Sequence, residues 1–313
     1  AVILYEAGTE WSVSYYRAWT DNVVPPGNYD LDASTMLPIF YAGLDLPEGS
    51  TTVVRIVLGS LSVLTPEGEP VPGDYYEAGT GERLGYWGHE GPVILAPGSY
   101  YVQVNGSTSS TVDVGPGDAV DLVMGSVAVL APDGEPVVAE FWNAVTDTRL
   151  GSYGAEGPIS LVPASYAVSV NGSTSSPISV ESGQTVELKL GGILVLTPEG
   201  EAVAADLYDA TANERLGSYG HDGPALLVPG TYVVAMAGSR TDAISLTEGQ
   251  IVEVQLGAVQ VDGSFTIWDA GGNRLGAYRD LLLLVPGMYQ LELSDGTTVN
   301  SVAVVAGEVT QIQ

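Results

Sequence analysis

Two short motifs recur along the chain at nearly the same period, and no other sequence feature constrains the fold as strongly. Arg-Leu-Gly recurs at spacings of 66, 66 and 59 residues, and the tyrosine of a Pro-(Gly/Ala)-x-Tyr motif recurs at spacings of 66, 66 and 57 residues. A period of this length exceeds that of a simple solenoid unit and suits a chain of small domains. The copies begin at Arg83, Arg149, Arg215 and Arg274, and at Pro97, Pro163, Pro229 and Pro286.

These motifs divide the chain into five units. A further copy, Pro26-Gly27-Asn28-Tyr29, lies 71 residues before the copy at Pro97 and belongs to a unit that starts inside the repeat. We predict an incomplete repeat at 1–58, repeat 1 at 59–124, repeat 2 at 125–190, repeat 3 at 191–256 and a shortened repeat 4 at 257–313.

Each repeat shows the pattern of an all-β domain. In repeat 1, short apolar-alternating segments are separated every 8–12 residues by turn residues such as Pro66-Glu67-Gly68 and Asn105-Gly106, which is typical of a β-sandwich. About seven strands fit between residues 60 and 124, a common number for a sandwich. Amphipathic helical spacing is absent, so we expect little helix.

The connections between repeats contain no linker. The last strand of one repeat runs through a glycine into the first strand of the next, at Gly59, Gly125, Gly191 and Gly257. A Ser/Pro-rich flexible segment is missing at each of these points, so neighbouring repeats must abut. We therefore expect a tandem array of small seven-stranded β-sandwich domains that forms a semi-rigid rod.

The two end units differ from the others. Repeat 4 has a shorter first hairpin, for which we predict a tight Asp262-Gly263 turn. The incomplete repeat lacks the equivalent of residues 59–71, which is the whole first strand and its turn. Three alternatives for covering the exposed edge stay open: an upstream segment, a strand of a neighbouring chain, or the five additional residues between Tyr29 and Leu58.

Composition narrows the possible partners and sites. The formal net charge is −29, from 38 acidic residues against 9 basic residues, so we expect no nucleic-acid partner and no binding to anionic membranes. No apolar run is long enough to cross a bilayer, and we expect no membrane insertion. The chain has no cysteine, which excludes disulfides, thiolate metal sites and cysteine nucleophiles.

The repeat resembles transthyretin-like β-sandwich repeats, on the string from Leu196 to Gly257 that reads LTPEGEAV, YDATANERLGSYG, LLVPGTYVV and LTEGQIVEVQLG. This group includes carboxypeptidase-regulatory-like, PEGA-like and collagen-adhesin B-type domains of secreted surface proteins. The resemblance implies a stalk of a surface or adhesion protein, or accessory domains that in some members bind carbohydrate. The lysine–asparagine isopeptide bonds of the adhesin members cannot recur here, because Lys189 is the only lysine.

Candidate catalytic and metal residues are few. The histidines are His89 and His221, at equivalent positions in repeats 1 and 3, and we interpret them as exposed loop residues beside an acid rather than as part of a triad or metal site. Acidic pairs flank a turn glycine in three repeats, and Asp30 and Asp32 share a strand face. Such pairs are incomplete calcium ligand sets, so we expect them to be solvated surface charges, with Ca²⁺ binding as the alternative. We expect no required cofactor and no enzymatic activity. The flanking pairs are Glu67/Glu69, Asp133/Glu135 and Glu199/Glu201.

Two Asn-Gly-Ser sequences match the N-glycosylation sequon, at Asn105 and Asn171. The alternative interpretation is that Asn-Gly is the preferred residue pair of a hairpin turn, because repeat 3 has Ala237 at this position.

Aromatic residues fall into three groups. The tyrosines of the second motif and those at the position of Trp87 recur with the repeat, so we predict that they pack inside the domains. The incomplete repeat contains a separate cluster, which is our candidate for an interaction patch. Its members are Trp11, Tyr15, Tyr16, Trp19 and Tyr41.

The sequence thus favours a structural cell-surface protein, a subunit of an extracellular fibre, filament or stalk that assembles through strand edges and the incomplete repeat. Its partners would be copies of itself or another surface protein. The alternative is a carbohydrate- or protein-binding array within a larger secreted protein.

Overall fold

The computed structural model describes residues 2–16, 23–34 and 38–312, and every regular element in these residues is a β-strand. The predicted all-β fold of tandem β-sandwich domains is confirmed. Among the described residues no helix has the length and apolar character that a membrane span requires. The chain divides into two compact units, Ala1–Ser126 with Ser160–Ala164 and Val180–Thr185, and Val127–Ile159 with Ser165–Ser179 and Val186–Gln313. The predicted domain boundaries stay predictions.

The incomplete repeat contributes one four-stranded antiparallel sheet to the first unit, in the order β2-β1-β3-β4. Leu4 on β1 lies opposite Leu31 on β3, and both side chains are buried together with Tyr29. The strands are β1 (Val2–Glu6), β2 (Ser12–Tyr16), β3 (Gly27–Ser34) and β4 (Pro38–Leu46).

Repeat 1 forms two sheets that enclose one apolar core. The smaller sheet has the order β12-β5-β8, with β12 parallel to β5; the larger has the order β10-β9-β6-β7, with β11 also paired to β9. The seven predicted strands are present, and the hairpin after β9 adds an eighth, the two-residue strand β10. The strands are β5 (Gly59–Leu64), β6 (Gly73–Glu77), β7 (Arg83–Trp87), β8 (Val93–Leu95), β9 (Gly98–Val104), β10 (Ser107–Thr108), β11 (Val112–Val114) and β12 (Ala119–Val123).

The same series of strands recurs twice between residues 125 and 256. In the second unit the larger sheets have the orders β15-β14-β17-β18 and β23-β22-β25-β26, and repeat 3 has the smaller sheet β24-β21-β28. The strands are β13 (Gly125–Leu130), β14 (Ala139–Asn143), β15 (Thr148–Tyr153), β16 (Ile159–Leu161), β17 (Ala164–Val170), β18 (Ser173–Thr174), β19 (Ile178–Val180), β20 (Thr185–Lys189), β21 (Gly191–Leu196), β22 (Ala205–Asp209), β23 (Glu214–Tyr219), β24 (Ala225–Leu227), β25 (Gly230–Met236), β26 (Ser239–Arg240), β27 (Ile244–Leu246) and β28 (Ile251–Gln255).

Repeat 4 joins its two layers through long bent strands. The predicted tight turn at Asp262-Gly263 is wrong: both residues lie inside β29, where the pairing with β30 shifts register between Gln260 and Ser264. The shortened chain has no loop with which to cross between the layers, so one strand passes through a bulge and serves both. The strands are β29 (Gly257–Asp269), β30 (Arg274–Leu284), β31 (Gly287–Leu293), β32 (Thr298–Val304) and β33 (Val309–Ile312).

The recurring tyrosines lie in the cores, as predicted. Tyr100, Tyr166, Tyr232 and Tyr289 are each at most 6% exposed. At the second recurring position, Trp87 packs 6.0 Å from the ring of Tyr75, and Tyr153 packs 6.3 Å from that of Phe141. Aromatic pairs at such distances contribute to the packing of the inward faces.

Candidate functional site: the joints between repeats

The Pro-(Gly/Ala)-x-Tyr motif shapes a loop through which each repeat contacts the repeat before it. In repeat 3 the hydroxyl of Tyr232 donates a hydrogen bond to the carbonyl of Val228 at 2.6 Å, and in repeat 4 Tyr289 does the same to Val285 at 2.6 Å. Both valines are buried. The tyrosine therefore holds the residue before proline in place, with its N–H directed away from its own sheet.

The Asn-Gly-Ser hairpin is the complementary element. In repeat 2, Asn171 and Gly172 have φ angles of 49° and 78°, which a two-residue type I′ turn requires and which Asn and Gly tolerate. The turn places Ser173 inside the structure, 3% exposed, where its hydroxyl donates to the carbonyl of Val170 at 2.7 Å.

The hairpin and the loop meet through two hydrogen bonds. The N–H of Val228 donates to Oγ of Ser173 at 3.0 Å, and Nδ2 of Asn171 donates to the carbonyl of Leu226 at 3.0 Å. The same serine bond forms between Ser107 and Val162 and between Ser239 and Val285, at 3.0 Å in each case. Each of these serines accepts a hydrogen bond from a buried backbone N–H of the following repeat, and buried backbone groups need such partners.

Apolar contacts reinforce the polar ones. Val162 belongs to the core cluster of repeat 1, and Val285 belongs to that of repeat 3. The leucine of the Arg-Leu-Gly motif packs on the hairpin glycine: a Cβ at Gly172 would lie 3.1 Å from the carbonyl oxygen of Leu216. Both motifs that reveal the repeat in the sequence therefore contribute to joints.

A third contact lies beside the strand that connects two repeats. The N–H of a glycine with positive φ donates to the carbonyl of the last residue before the connecting glycine, at 2.9–3.0 Å in all four joints. The accepting residues in the three later joints are completely buried. The pairs are Gly117 to Leu58, Gly183 to Met124, Gly249 to Leu190 and Gly307 to Leu256.

The connecting glycines leave no room for a side chain. A Cβ at Gly191 would lie 2.5 Å from Cγ of Leu246, and one at Gly59 would lie 2.5 Å from the carbonyl oxygen of Gly115. Glycine is needed here because the returning strand of the following repeat crosses directly over the backbone. The groups that meet at the joint are uncharged, with Ser173 buried and Asn171 exposed at its rim.

The predicted interaction patch is only partly described. Trp11 lies in the turn between β1 and β2 with 78% of its surface exposed. Tyr15 and Tyr16 lie on β2 and Tyr41 on β4, which are the two opposite edge strands of the sheet, and Trp19 lies outside the described residues. Tyr41 therefore lies at the opposite edge of the sheet from Trp11, Tyr15 and Tyr16, and the patch stays a prediction.

The sequon residues are part of the joints. Nδ2 of Asn105, the atom that would carry a glycan, donates to the carbonyl of Ser160 at 3.0 Å, and Ser107 is buried. Asn171 makes the equivalent bond. Glycosylation at Asn105 and Asn171 stays a prediction, and the structure gives both residues a role in packing that sequence reasoning missed.

The remaining candidates lie apart from one another. His89 and His221 are exposed, as predicted for loop residues, and His89 contacts the ring of Tyr86 edge-on at 5.3 Å. In the described part of the chain no three His, Asp or Glu residues are grouped so that they could hold a metal ion. Calcium binding at the acidic pairs stays untested.

The carboxylate of Asp30 forms hydrogen bonds to the backbone within the incomplete repeat. Its carboxylate accepts hydrogen bonds from the N–H groups of Gly8 and Gly43, at 2.9 Å each. These two bonds hold the pKa of Asp30 below its usual value, the one from Gly8 most strongly. The carboxylate thus ties the β1–β2 turn to the β4 strand.

A repeated aromatic position on the larger sheets was not recognised from the sequence. Tyr76, Trp142, Tyr208 and Trp268 each follow a buried inward-facing residue, so they point to the outer face. Tyr76 stacks on Tyr101 at 4.8 Å, and the guanidinium of Arg240 lies 4.1 Å from the ring centre of Tyr208. Tyr76, Trp142 and Tyr208 each lie seven residues before the arginine of the Arg-Leu-Gly motif, whereas Trp268 lies six residues before Arg274 because the turn there is one residue shorter.

Comparison with known proteins does not assign the chain to a family. No protein-family model matches the chain, and no curated protein matches it. The TIE protein of Bacillus anthracis is similar at 13% identity and a TM-score of 0.16, with 82% of this chain and 67% of that chain covered. A streptococcal ancillary pilin (10% identity, TM-score 0.17) and a variant of BcpA, the major pilin subunit of Bacillus cereus (8% identity, TM-score 0.16), each cover 61% of this chain, over 98% and 99% of their own.

Proposed function

We propose that the chain is a structural cell-surface protein, a segment of an extracellular fibre, filament or stalk. The observation that carries the proposal is the joint, in which the same three kinds of contact recur from one repeat to the next. A protein that only displayed independent binding domains would need no buried hydrogen bonds between them, since a flexible linker would suffice.

The chemistry of the joint supports a load-bearing role. Ser173, Asn171 and their backbone partners are uncharged, so the joint keeps its contacts when salt or pH changes outside a cell. The net charge of −29 opposes nonspecific association of neighbouring chains. The resemblance to transthyretin-like repeats is consistent with this role, with copies of the chain or another surface protein as partners and without catalysis.

Negative-stain electron microscopy of the purified chain tests the proposal. We expect elongated particles, joined end to end in a fibre subunit and single in a stalk. Compact particles of varied shape, with neighbouring repeats at random angles, would contradict a structural role.

Carbohydrate binding is the second candidate, and the repeated outer aromatic position favours it. Exposed aromatic rings stack on sugar rings, and Trp142 is half-buried on an outer sheet face. A glycan-binding assay on the full chain and on Trp142→Ala tests it, with an EDTA arm for a calcium-dependent site. Loss of binding in the variant would support this function, and absence of binding by the wild-type chain would exclude it for the glycans assayed.

A further inference from the structure

The joints that follow repeats 1 and 2 contain the only two Asn-Gly pairs of the chain, Asn105-Gly106 and Asn171-Gly172. Asparagine followed by glycine is the pair most prone to deamidation, because glycine has no side chain to hinder attack by its own backbone nitrogen. All four residues are exposed, so water reaches both turns. Each of these joints therefore includes a chemically reactive amide.

The folded turn keeps the two reacting atoms apart. In a type I′ turn the ψ angle of the first turn residue is about 30°, and the φ angles of Asn105 and Asn171, 47° and 49°, match this turn. At this ψ the nitrogen of the next residue lies nearly opposite Cβ across the Cα–C bond. Attack on Cγ closes a succinimide ring and requires this nitrogen and Cβ on the same side, so the intact hairpin does not react.

The following repeat also holds the group that would leave. Nδ2 of Asn105 donates to the carbonyl of Ser160, and Nδ2 of Asn171 donates to that of Leu226, at 3.0 Å each. Because each acceptor lies 55 residues further along the chain, these bonds exist only while the joint is closed. Closure of the joint therefore protects the asparagine that takes part in it.

We propose that Asn105 and Asn171 are deamidation sites that the closed joints protect, and that reaction at either site prevents its joint from closing again. When the hairpin opens, the backbone nitrogen of the glycine attacks Cγ of the asparagine. The new N–Cγ bond replaces the Cγ–Nδ2 bond, and ammonia leaves with the proton of the glycine N–H. Water, the one co-reactant, then opens the succinimide at either carbonyl and gives aspartate or isoaspartate.

Neither product fits the joint. Aspartate places a carboxylate oxygen, which cannot donate a hydrogen bond, against the carbonyl of the following repeat. Isoaspartate leads the main chain through the side-chain carbons and adds one atom to it, which a two-residue turn of fixed register does not accommodate. The altered turn no longer aligns the serine with its partner, which at the second site is Ser173 with the N–H of Val228.

The joint between repeats 3 and 4 lacks this chemistry. Ala237 occupies the asparagine position, and the hydroxyl of Tyr278 donates to its carbonyl at 3.2 Å. This joint keeps the serine bond between Ser239 and Val285, so closure does not require the asparagine. The proposal goes beyond the fibre or stalk function and does not depend on it, because any array with these hairpins would lose joints in the same way.

Mass spectrometry of peptides from the full chain, incubated in mildly alkaline buffer, measures deamidation at each site. We expect both sites to react about tenfold or more slower in the native chain than in the chain unfolded by denaturant. Ser173→Ala should accelerate the reaction at Asn171 about tenfold or more and leave Asn105 within about twofold, and Ser107→Ala should do the reverse. Ser245→Ala is the matched control and should change neither rate.

The effect of the reaction on the joint is measured on the reacted chain. In the variant Asn105→Ala, which has the alanine that repeat 3 uses, Asn171-Gly172 is the one remaining Asn-Gly pair. Ion exchange separates the product by its added negative charge. The β17–β18 hairpin and β24 of the product should exchange hydrogen about tenfold or more faster than in the unreacted variant.

Three results would overturn the proposal: equal deamidation rates in the native and the unfolded chain, acceleration of both sites or of neither by the two serine variants, and equal hydrogen exchange before and after reaction. If a serine variant fails to fold, the first and third measurements still decide. Particle shape in the microscope is a separate result, so failure here leaves the structural role standing.

Discussion

Replacing Ser173 with alanine isolates the contribution of one joint to the stability of two repeats. The hydroxyl donates to Val170 O at 2.7 Å within repeat 2 and accepts from Val228 N at 3.0 Å in repeat 3. Loss of the first bond costs about 0.5–1.5 kcal/mol, and leaving the buried N–H of Val228 without a partner costs about 1–3 kcal/mol. We therefore expect Ser173→Ala to destabilise the joint by about 1.5–4.5 kcal/mol.

Hydrogen exchange of the full chain, resolved by peptide, measures this effect repeat by repeat. Exchange should accelerate roughly tenfold or more in the β17–β18 hairpin and in β24, because about 1.4 kcal/mol corresponds to tenfold. Asn171→Ala should cost about 1 kcal/mol, since repeat 3 already has Ala237 at this position with φ of 50°.

Ser245→Ala is the matched control, because Ser245 is exposed on β27 and its change should stay within about 0.5 kcal/mol. The reasoning fails if Ser173→Ala behaves like Ser245→Ala. It also fails if only repeat 2 responds, because the serine would then not stabilise the following repeat.

Three further predictions concern single residues. Gly191→Ala should destabilise repeat 3 by several kcal/mol in chemical denaturation, because its Cβ would meet the side chain of Leu246, and no loss would contradict the crowding. Tyr75→Phe should stabilise repeat 1 by about 1 kcal/mol, because the buried Tyr75 hydroxyl has no hydrogen-bond partner. Burial raises the pKa of Tyr75 to about 12 from 10.0, so wild type should lose stability between these pH values and the phenylalanine variant should lose less. The lowered pKa of Asp30 implies stability that is present above the unfolded pKa and lost as pH falls through the folded one. Asp30→Asn should reduce that acid dependence in a pH series of melting temperatures, and an unchanged profile would count against it.

Local sequence predicted the elements of the fold well. Tyr100 could be assigned to the core because its spacing recurs with the repeat, and strands such as β9 follow from alternation over a few residues. Asn105-Gly106 was predicted as a hairpin turn because those residues tolerate positive φ. These features depend on neighbours within one strand or turn, and a sequence contains that information directly.

Where residues distant in sequence meet, the same reasoning was incomplete or wrong. Asp262-Gly263 was predicted as a turn, since the pair has turn chemistry, yet the two-layer packing of repeat 4 makes it a bulge within β29. The outer aromatic position at Trp268 was missed because a shorter turn shifts the period by one residue. Pairing register reveals the equivalence, and register is a property of two strands rather than of one.

The joint shows the division most clearly. By itself the sequence determined that the chain is a tandem array of β-domains without linkers, because the repeat period, the turn residues and the connecting glycines are local or periodic signals. Only the tertiary structure decided what Asn171 and Ser173 do, since their partners Leu226 and Val228 lie 55 residues away. The same Asn-Gly-Ser sequence can be a glycosylation sequon or the hairpin of a joint. The physical difference is whether folding brings a buried N–H within 3.0 Å of the serine oxygen.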